Sequence, residues 1–179
     1  MQKSRYIKTN LRTFIIGDFL YIDSDTVIVD SLDEIDKCPH DLAAVYDSNR
    51  PFPISKTGAT SDSYINSYIR RLGWPSVIGY PNYNGGVIFS RDTQTSHRFY
   101  KRWFELWTEC TKQGVNIDMA ALCRANIENE CCIKELPAIW NFKYNGKDCH
   151  FCRKQKSFIV SLAVISHYLN CVQTEFLKK

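Results

Sequence analysis

The chain has 179 residues, 44% of them apolar and 13% aromatic, which suffices for one core and excludes a disordered polypeptide. Its 23 basic and 19 acidic residues are interspersed and leave a net charge of +4, so no basic stripe marks nucleic acid as a partner, whereas a small anionic substrate is compatible. No targeting or transmembrane segment is expected, because Asp18 interrupts the N-terminal apolar run and the run from Phe158 to Val172 carries His167 and Asn170 and is too short to span; eight cysteines without a leader then point to reduced thiols in a cytoplasmic setting.

Ser4 to Thr9 reads as a short helix, in which Arg5 and Lys8 share a face through their i, i+3 spacing and can address one anion. Phe19 to Ile22 reads as a strand buried on both faces, ending on Asp23-Ser24-Asp25 before a second apolar run, Thr26 to Val29. Along extended chain Asp23 and Asp25 point one way and Ser24 the other, a bidentate arrangement for a hard divalent cation. Ligands of open α/β sheets lie outside the carboxyl ends of strands, where these two carboxylates fall. The tripeptide by itself is weak, since chance gives roughly one such pattern in a chain of this composition. The competing account is a strand-end turn whose Asp residues only solvate the loop.

Ser31 with Glu34 forms a capping-box pattern opening a short helix that ends before Cys38-Pro39, with Asp30 and Asp33 as first-turn charges. Leu42 to Tyr46 is a further buried strand, and residues 49–60, with Pro51, Pro53 and Gly58, form a loop. Ser61 opens a helix with apolar positions Tyr64, Ile65, Tyr68, Ile69 and Leu72, closed by Gly73. Tyr80 to Phe89 is expected to be a loop of special backbone geometry, around Asn84-Gly85-Gly86, running into a strand. Thr93 to Lys112 is the longest helix, with a core stripe of Phe99, Trp103, Leu106, Trp107 and Cys110 and Gly114 at its end. Asp118 starts the next helix and can serve simply as its N-cap. Phe158 to Tyr168 is an apolar strand that delivers His167 at a sheet edge. Cys149-His150-Phe151-Cys152 has the spacing of half a zinc site, which Cys131-Cys132 would complete only poorly; small buried hydrophobes are the expected role of the cysteines.

Phe-Leu-Tyr-Ile-Asp-Ser-Asp-Thr (residues 19–26), the apolar run after it and Ser31-Leu32-Asp33-Glu34-Ile35 together resemble the metal-binding core of GT-A-fold glycosyltransferases, most like glycosyltransferase family 8 and related bacterial polysaccharide-assembly enzymes. The resemblance runs from Ser4 to Tyr168 and implies an α/β fold, a mixed sheet flanked by helices, with the chain as a single GT-A-like catalytic domain over residues 1–179. It implies metal-dependent transfer of a sugar from a nucleotide-diphosphate donor, a UDP-sugar, to a saccharide or glycan acceptor, with retention of configuration. Asp23, Asp25 and His167 would hold Mn²⁺ or Mg²⁺, the imidazole favouring Mn²⁺. Arg5, Lys8, Ser24, Gly85 and Gly86 would face the nucleotide sugar. Asn84, which can both donate to and accept from a sugar hydroxyl, Asp118 and Asn141 would orient donor sugar and acceptor. Two departures stand out. Met119 replaces the Gln that family members place after Asp118, and only 18 residues precede the strand at Phe19, so the first βαβ units of the fold are expected to be missing. The incomplete front half implies weakened nucleotide binding. It also opens a rival account, an inactive or partner-dependent binding module that associates through an exposed sheet edge. A metal-dependent phosphoesterase is a weaker third reading, because it would want more metal ligands than the chain groups.

Overall fold

The computed structural model describes residues 3–47, 64–143 and 159–161. The helix expected at the N-terminus is α1 (Lys3–Thr9), followed by a 3-10 turn at Leu11–Thr13. The apolar runs become β1 (Phe19–Ile22), β2 (Thr26–Ile28) and β3 (Leu42–Tyr46). Then come α2 (Tyr64–Arg71), β4 (Tyr83–Ser90), α3 (Gln94–Lys112), α4 (Met119–Glu128), β5 (Ile133–Glu135), β6 (Phe142–Lys143) and β7 (Ile159–Ser161).

The main sheet has the order β1-β4-β3-β5. β4 runs antiparallel to both β1 and β3, and β3 is parallel to β5, so the sheet is mixed. Side chains alternate between two cores, as the strand period of two requires. Leu42, Ala44 and Ile88 face a helical layer that includes Ile65, Phe99, Trp103 and Leu122, while Ala43, Val45, Val87 and Phe89 face a second cluster with Ile35, Leu136, Trp140 and Ile159. Continuous apolar runs are what a sheet covered on both faces demands. A smaller sheet, β2-β7-β6, adjoins it in the chain order.

Three expectations need correction. β1 does send Phe19 and Tyr21 to one core and Leu20 and Ile22 to the other, but all four are only half-buried. The reason is its place at the edge of the sheet, paired with β4 alone among the described residues. Ser31 and Glu34 do not form a capping box: the Ser31 hydroxyl accepts from the Asp33 N–H, Glu34 pairs with Lys37, and the segment is a 3-10 turn over Asp33–Lys37. Asn84, Gly85 and Gly86 lie inside β4 and not in a loop, and neither glycine has a positive φ.

The long helix is as expected. Thr93 caps it by accepting from the Ser96 N–H, and Phe99, Trp103, Leu106, Trp107 and Cys110 are all buried. Five described cysteines are free thiols, and burial pushes Cys110 up to about 12 and Cys132 up to about 11, as befits small hydrophobes. The half zinc motif at residues 149–152 lies outside the described residues. Among the described residues no helix is long and apolar enough to cross a membrane.

Candidate active site

β1, β3 and β5 run the same way and β4 the other, so the carboxyl ends of the first three and the start of β4 share one edge of the sheet. Asp23 follows β1 and Asp47 follows β3 at that edge, and Asn84 is the second residue of β4. Their side chains join into one polar cluster. The Asp23 N–H donates to the Gly86 carbonyl at 2.7 Å, carrying the β1–β4 ladder one residue past the strand. Asn84 turns its amide back along its own strand. Its Oδ1 accepts from the Gly86 N–H at 2.7 Å and from Asn141 Nδ2 at 2.9 Å, and its Nδ2 donates to Asp47 Oδ1 at 3.1 Å. Asn141, 1% exposed, is delivered by the 3-10 turn Ala138–Trp140, whose Trp140 is buried in the core beneath.

The glycines matter here for what they leave out. A Cβ on Gly86 would stand 2.8 Å from Asn84 Oδ1 and 3.2 Å from Asp23 Oδ2; one on Gly85 would stand 3.2 Å from Lys8 Nζ. Close approach of side chains to bare backbone is thus their physical role, in place of the unusual dihedrals expected from sequence.

A second group of charges closes the cluster. α1 packs on α3 through Tyr6, edge-on to Phe104 at 5.4 Å, and this buries Lys8 to 7% exposure. Lys8 Nζ lies 3.3 and 3.2 Å from the two Asp23 oxygens and 3.0 Å from Asp118 Oδ2, and Arg5 Nε lies 3.4 Å from Asp118 Oδ1. The shared face of Arg5 and Lys8 therefore does address one anion, and that anion is Asp118. Asp118 stands at the N-cap position of α4, yet its side chain makes no capping bond. Its carbonyl is held from the core by Trp103 Nε1 at 3.2 Å. The plain N-cap account of Asp118 fails on this geometry.

Eight of the residues singled out from sequence, Arg5, Lys8, Asp23, Asn84, Gly85, Gly86, Asp118 and Asn141, are brought together by these contacts. Ser24 and Asp25 are exposed and sit on a turn, closed by Thr26 Oγ1 donating to the Asp23 carbonyl at 2.7 Å. The extended-chain alternation that would align Asp23 with Asp25 does not apply, because the strand stops at Ile22. His167 lies outside the described residues.

Two members of the cluster escaped the sequence reading. Tyr21 donates its hydroxyl to Asp23 Oδ1 at 2.5 Å; burial, then this bond and the Asp23 charge, push its ionisation upward, so it stays a protonated donor. Period two along β1 places Tyr21 and Asp23 on one face and was the available signal. Asp47 could have been found as Asp23 was, as the carboxylate following a buried strand.

Asp23 supplies oxygen ligands of the kind a hard divalent cation takes, but Lys8 Nζ already lies against both of them. Asp23 presents Oδ2 beside a space that a Cβ on Gly86 would enter, and Asp25 is exposed with no ion pair among the described residues. Among the described residues alone, no three His, Cys, Asp or Glu side chains group closely enough to hold a metal.

No protein-family model matches the sequence. No curated protein matches it either. Solved structures do resemble it. The galactosyltransferase LgtC, solved with donor and acceptor sugar analogs, superposes with a TM-score of 0.57 at 14% identity, over 91% of this chain and 59% of that one. GlyE, a glycosyltransferase from Streptococcus pneumoniae TIGR4, gives 0.52 at 15% over 90% of this chain and 37% of its own. The bifunctional glycosyltransferase WbbM gives 0.52 at 18%, over 89% and 31%. The chain thus spans 31% to 59% of the length of these three structures. The described residues have the fold of the GT-A glycosyltransferases, with the polar cluster at the carboxyl edge of that fold's mixed sheet.

Proposed function

We propose that the chain is the sugar-transferring part of a metal-dependent glycosyltransferase, which takes the sugar of a UDP-sugar and passes it to a saccharide or glycan acceptor. The observation that carries this reading is the convergence, on a GT-A fold, of Asp23, Asn84, Asn141 and Asp118 at the carboxyl edge of the sheet, with Lys8 and Arg5 supplying positive charge beside them. Asp23, Asp25 and His167 would hold Mn²⁺ (or Mg²⁺). The ion, when bound, supplies positive charge against the diphosphate as the sugar–phosphate bond breaks. Tyr21 fixes the Asp23 carboxylate by its hydroxyl. Asn84, its Oδ1 held by Gly86 and Asn141 and one Nδ2 hydrogen by Asp47, would offer its second Nδ2 hydrogen, already oriented, to a sugar hydroxyl, which lowers the ordering cost on binding. Ser24, on the turn beside Asp23, and the Gly85–Gly86 backbone border the nucleotide-sugar side. Retention of configuration is proposed from the family resemblance alone, with Asp118, paired to Lys8 and Arg5, orienting donor sugar and acceptor. The activity belongs to polysaccharide or glycan assembly.

Calorimetric titration of UDP with Mn²⁺ present, then with EDTA, tests this reading. Binding is expected with Mn²⁺ only, and weaker than about tenfold below wild type in Asp25→Asn, since that carboxylate supplies the ion's second anchor. Binding indifferent to both metal and Asp25 would refute it. The half-exposed edge strand β1 favours a second reading, in which the site is completed by a partner that pairs with that edge. Sedimentation decides it: a monomer at all concentrations, with metal-dependent UDP binding, excludes the need for a partner.

A further inference from the structure

We propose that the edge strand β2 is a docking site for an extended segment of a partner protein, apolar at its centre and carrying Lys or Arg at both ends, which adds to the small sheet as a further strand. Among the described residues β2 pairs only with β7, in a regular antiparallel register from Thr26↔Ser161 to Ile28↔Ile159, so its other edge is open. By the strand period Val27 and Val29 fall on one side and Ile28 on the other. All three are exposed, at 40%, 51% and 53% respectively, so the strand is covered on neither face. They form the longest run of exposed large apolar residues among those described. Edge strands are ordinarily protected by lysine, proline or a bulge, and Thr26-Val27-Ile28-Val29 has none of the three. Its outer row of backbone N–H and C=O groups is thus open to pairing.

Charge decides the occupant. From Asp25 to Lys37 the chain carries five exposed carboxylates, Asp25, Asp30, Asp33, Glu34 and Asp36, against Lys37 alone, which is paired to Glu34 at 2.6 Å. Arg91, which donates to the Asp36 carbonyl, is itself paired with Asp18. The stretch therefore holds four surplus negative charges in a chain whose net charge is +4. A second copy pairing antiparallel in a register centred on Val27 and Ile28 would bring Asp25 of one copy toward Asp30 of the other, so self-pairing is disfavoured. A basic-ended segment meets the opposite situation. Its apolar centre covers Val27, Ile28 and Val29, and its ends face Asp25 on one side and Asp30 and Asp33 on the other. β2 also follows directly on the turn that carries Ser24 and Asp25, closed by Thr26 Oγ1 donating to the Asp23 carbonyl at 2.7 Å, so the docked strand lies at the rim of the polar cluster. The inference stands on the strand and its charges, and not on the sugar-transfer reading.

Fluorescence anisotropy with the full chain measures binding of a labelled probe peptide, Lys-Lys-Val-Thr-Val-Thr-Val-Lys-Lys, beside a copy with glutamate in place of lysine and one with proline at its centre. The lysine-ended peptide is expected to bind, about tenfold more weakly when salt rises from about 0.05 to about 0.5 M, and the other two peptides are expected to bind more weakly by about tenfold or more. In Asp30→Lys/Asp33→Lys, both exposed positions, the preference between lysine and glutamate ends should reverse. Hydrogen exchange of the amides of residues 26–29 should slow when the lysine-ended peptide is bound. Binding that tolerates proline, ignores the sign of the peptide's ends or leaves exchange over 26–29 unchanged overturns the proposal. So does a dimer of the chain alone, in sedimentation, whose 26–29 amides are protected without peptide, because the strand's occupant is then a second copy. Should the double charge reversal fail to fold, Val27→Thr/Val29→Thr must weaken the lysine-ended peptide about tenfold, and unchanged affinity there defeats the proposal equally.

Discussion

Gly86→Ala tests whether bare backbone holds the site together. The added methyl would stand 2.8 Å from Asn84 Oδ1, closer than carbon and oxygen tolerate, and 3.2 Å from Asp23 Oδ2. Asn84 is the end of a side chain and can rotate away, but its amide is fixed by bonds from the Gly86 N–H at 2.7 Å and Asn141 Nδ2 at 2.9 Å and to Asp47 at 3.1 Å. Rotation forfeits these three part-buried bonds, at about 1–1.5 kcal/mol each. The smaller entropy of an unfolded Ala returns about 0.4–1 kcal/mol. The net is a destabilisation of about 2–4 kcal/mol, which for a chain of this size lowers the melting temperature by roughly 5–15 °C. Thermal melts of Gly86→Ala, Asn84→Ala and the double variant isolate the cause. With Asn84 truncated the methyl meets Asp23 Oδ2 at 3.2 Å and Asn141 Nδ2 at an ordinary 3.5 Å, so Gly86→Ala should then cost less than about 1 kcal/mol. Additive effects in the double variant would refute the contact argument and place the cost elsewhere in β4.

Trp103 is fully buried and donates to the Asp118 carbonyl, so Trp103→Ala is expected to lose about 3–5 kcal/mol, while Trp103→Phe loses nearer 1 kcal/mol by giving up the bond and part of the volume; urea unfolding measures both. Glu128 has a defined acid-side signature. Burial alone would raise its pKa, but hydrogen bonds from Arg102 and Arg124 outweigh that and hold it below the ordinary glutamate range. A carboxyl lowered in the folded state contributes stability that is complete above its unfolded pKa of about 4.3 and is lost as pH falls through the folded value. Glu128→Gln should therefore flatten the acid side of the urea midpoint below about pH 5 and leave its slope near neutrality unchanged; an equal loss at every pH would show that the pairs with Arg102 and Arg124 act only through packing.

The strands and long helices were legible because each has a local signature: apolar runs bounded by turn residues for β1 and β3, and a 3.6-period stripe from Phe99 to Cys110 for α3. What failed was whatever depends on a distant neighbour. Whether β1 is central or at an edge is decided by which strands flank it, which its own four residues do not encode. The same holds for Gly85 and Gly86. A glycine pair in a sequence signals freedom of φ and closeness of approach alike, and only the arrival of Lys8, from far up the chain, and of Asn84 shows that closeness is at stake.

The charged cluster carries this reasoning one step further. The spacing of Arg5 and Lys8 established that they share a face, and the strand-end rule placed Asp23 at a carboxyl edge, yet their meeting is set by the packing of α1 on α3 through Tyr6 and Phe104. Asp118 is positioned by a different route, through the grip of Trp103 on its carbonyl, so a residue read as pure core aligns a carboxylate in the site. Two independently packed elements thus converge on one ammonium. A small shift of α1 on α3 would separate Lys8 from Asp23 and Asp118 together, because both bonds end on the same nitrogen. The aromatic packing of the exposed Tyr6 on Phe104 and Trp107 is in this way the mechanical support of the charge arrangement.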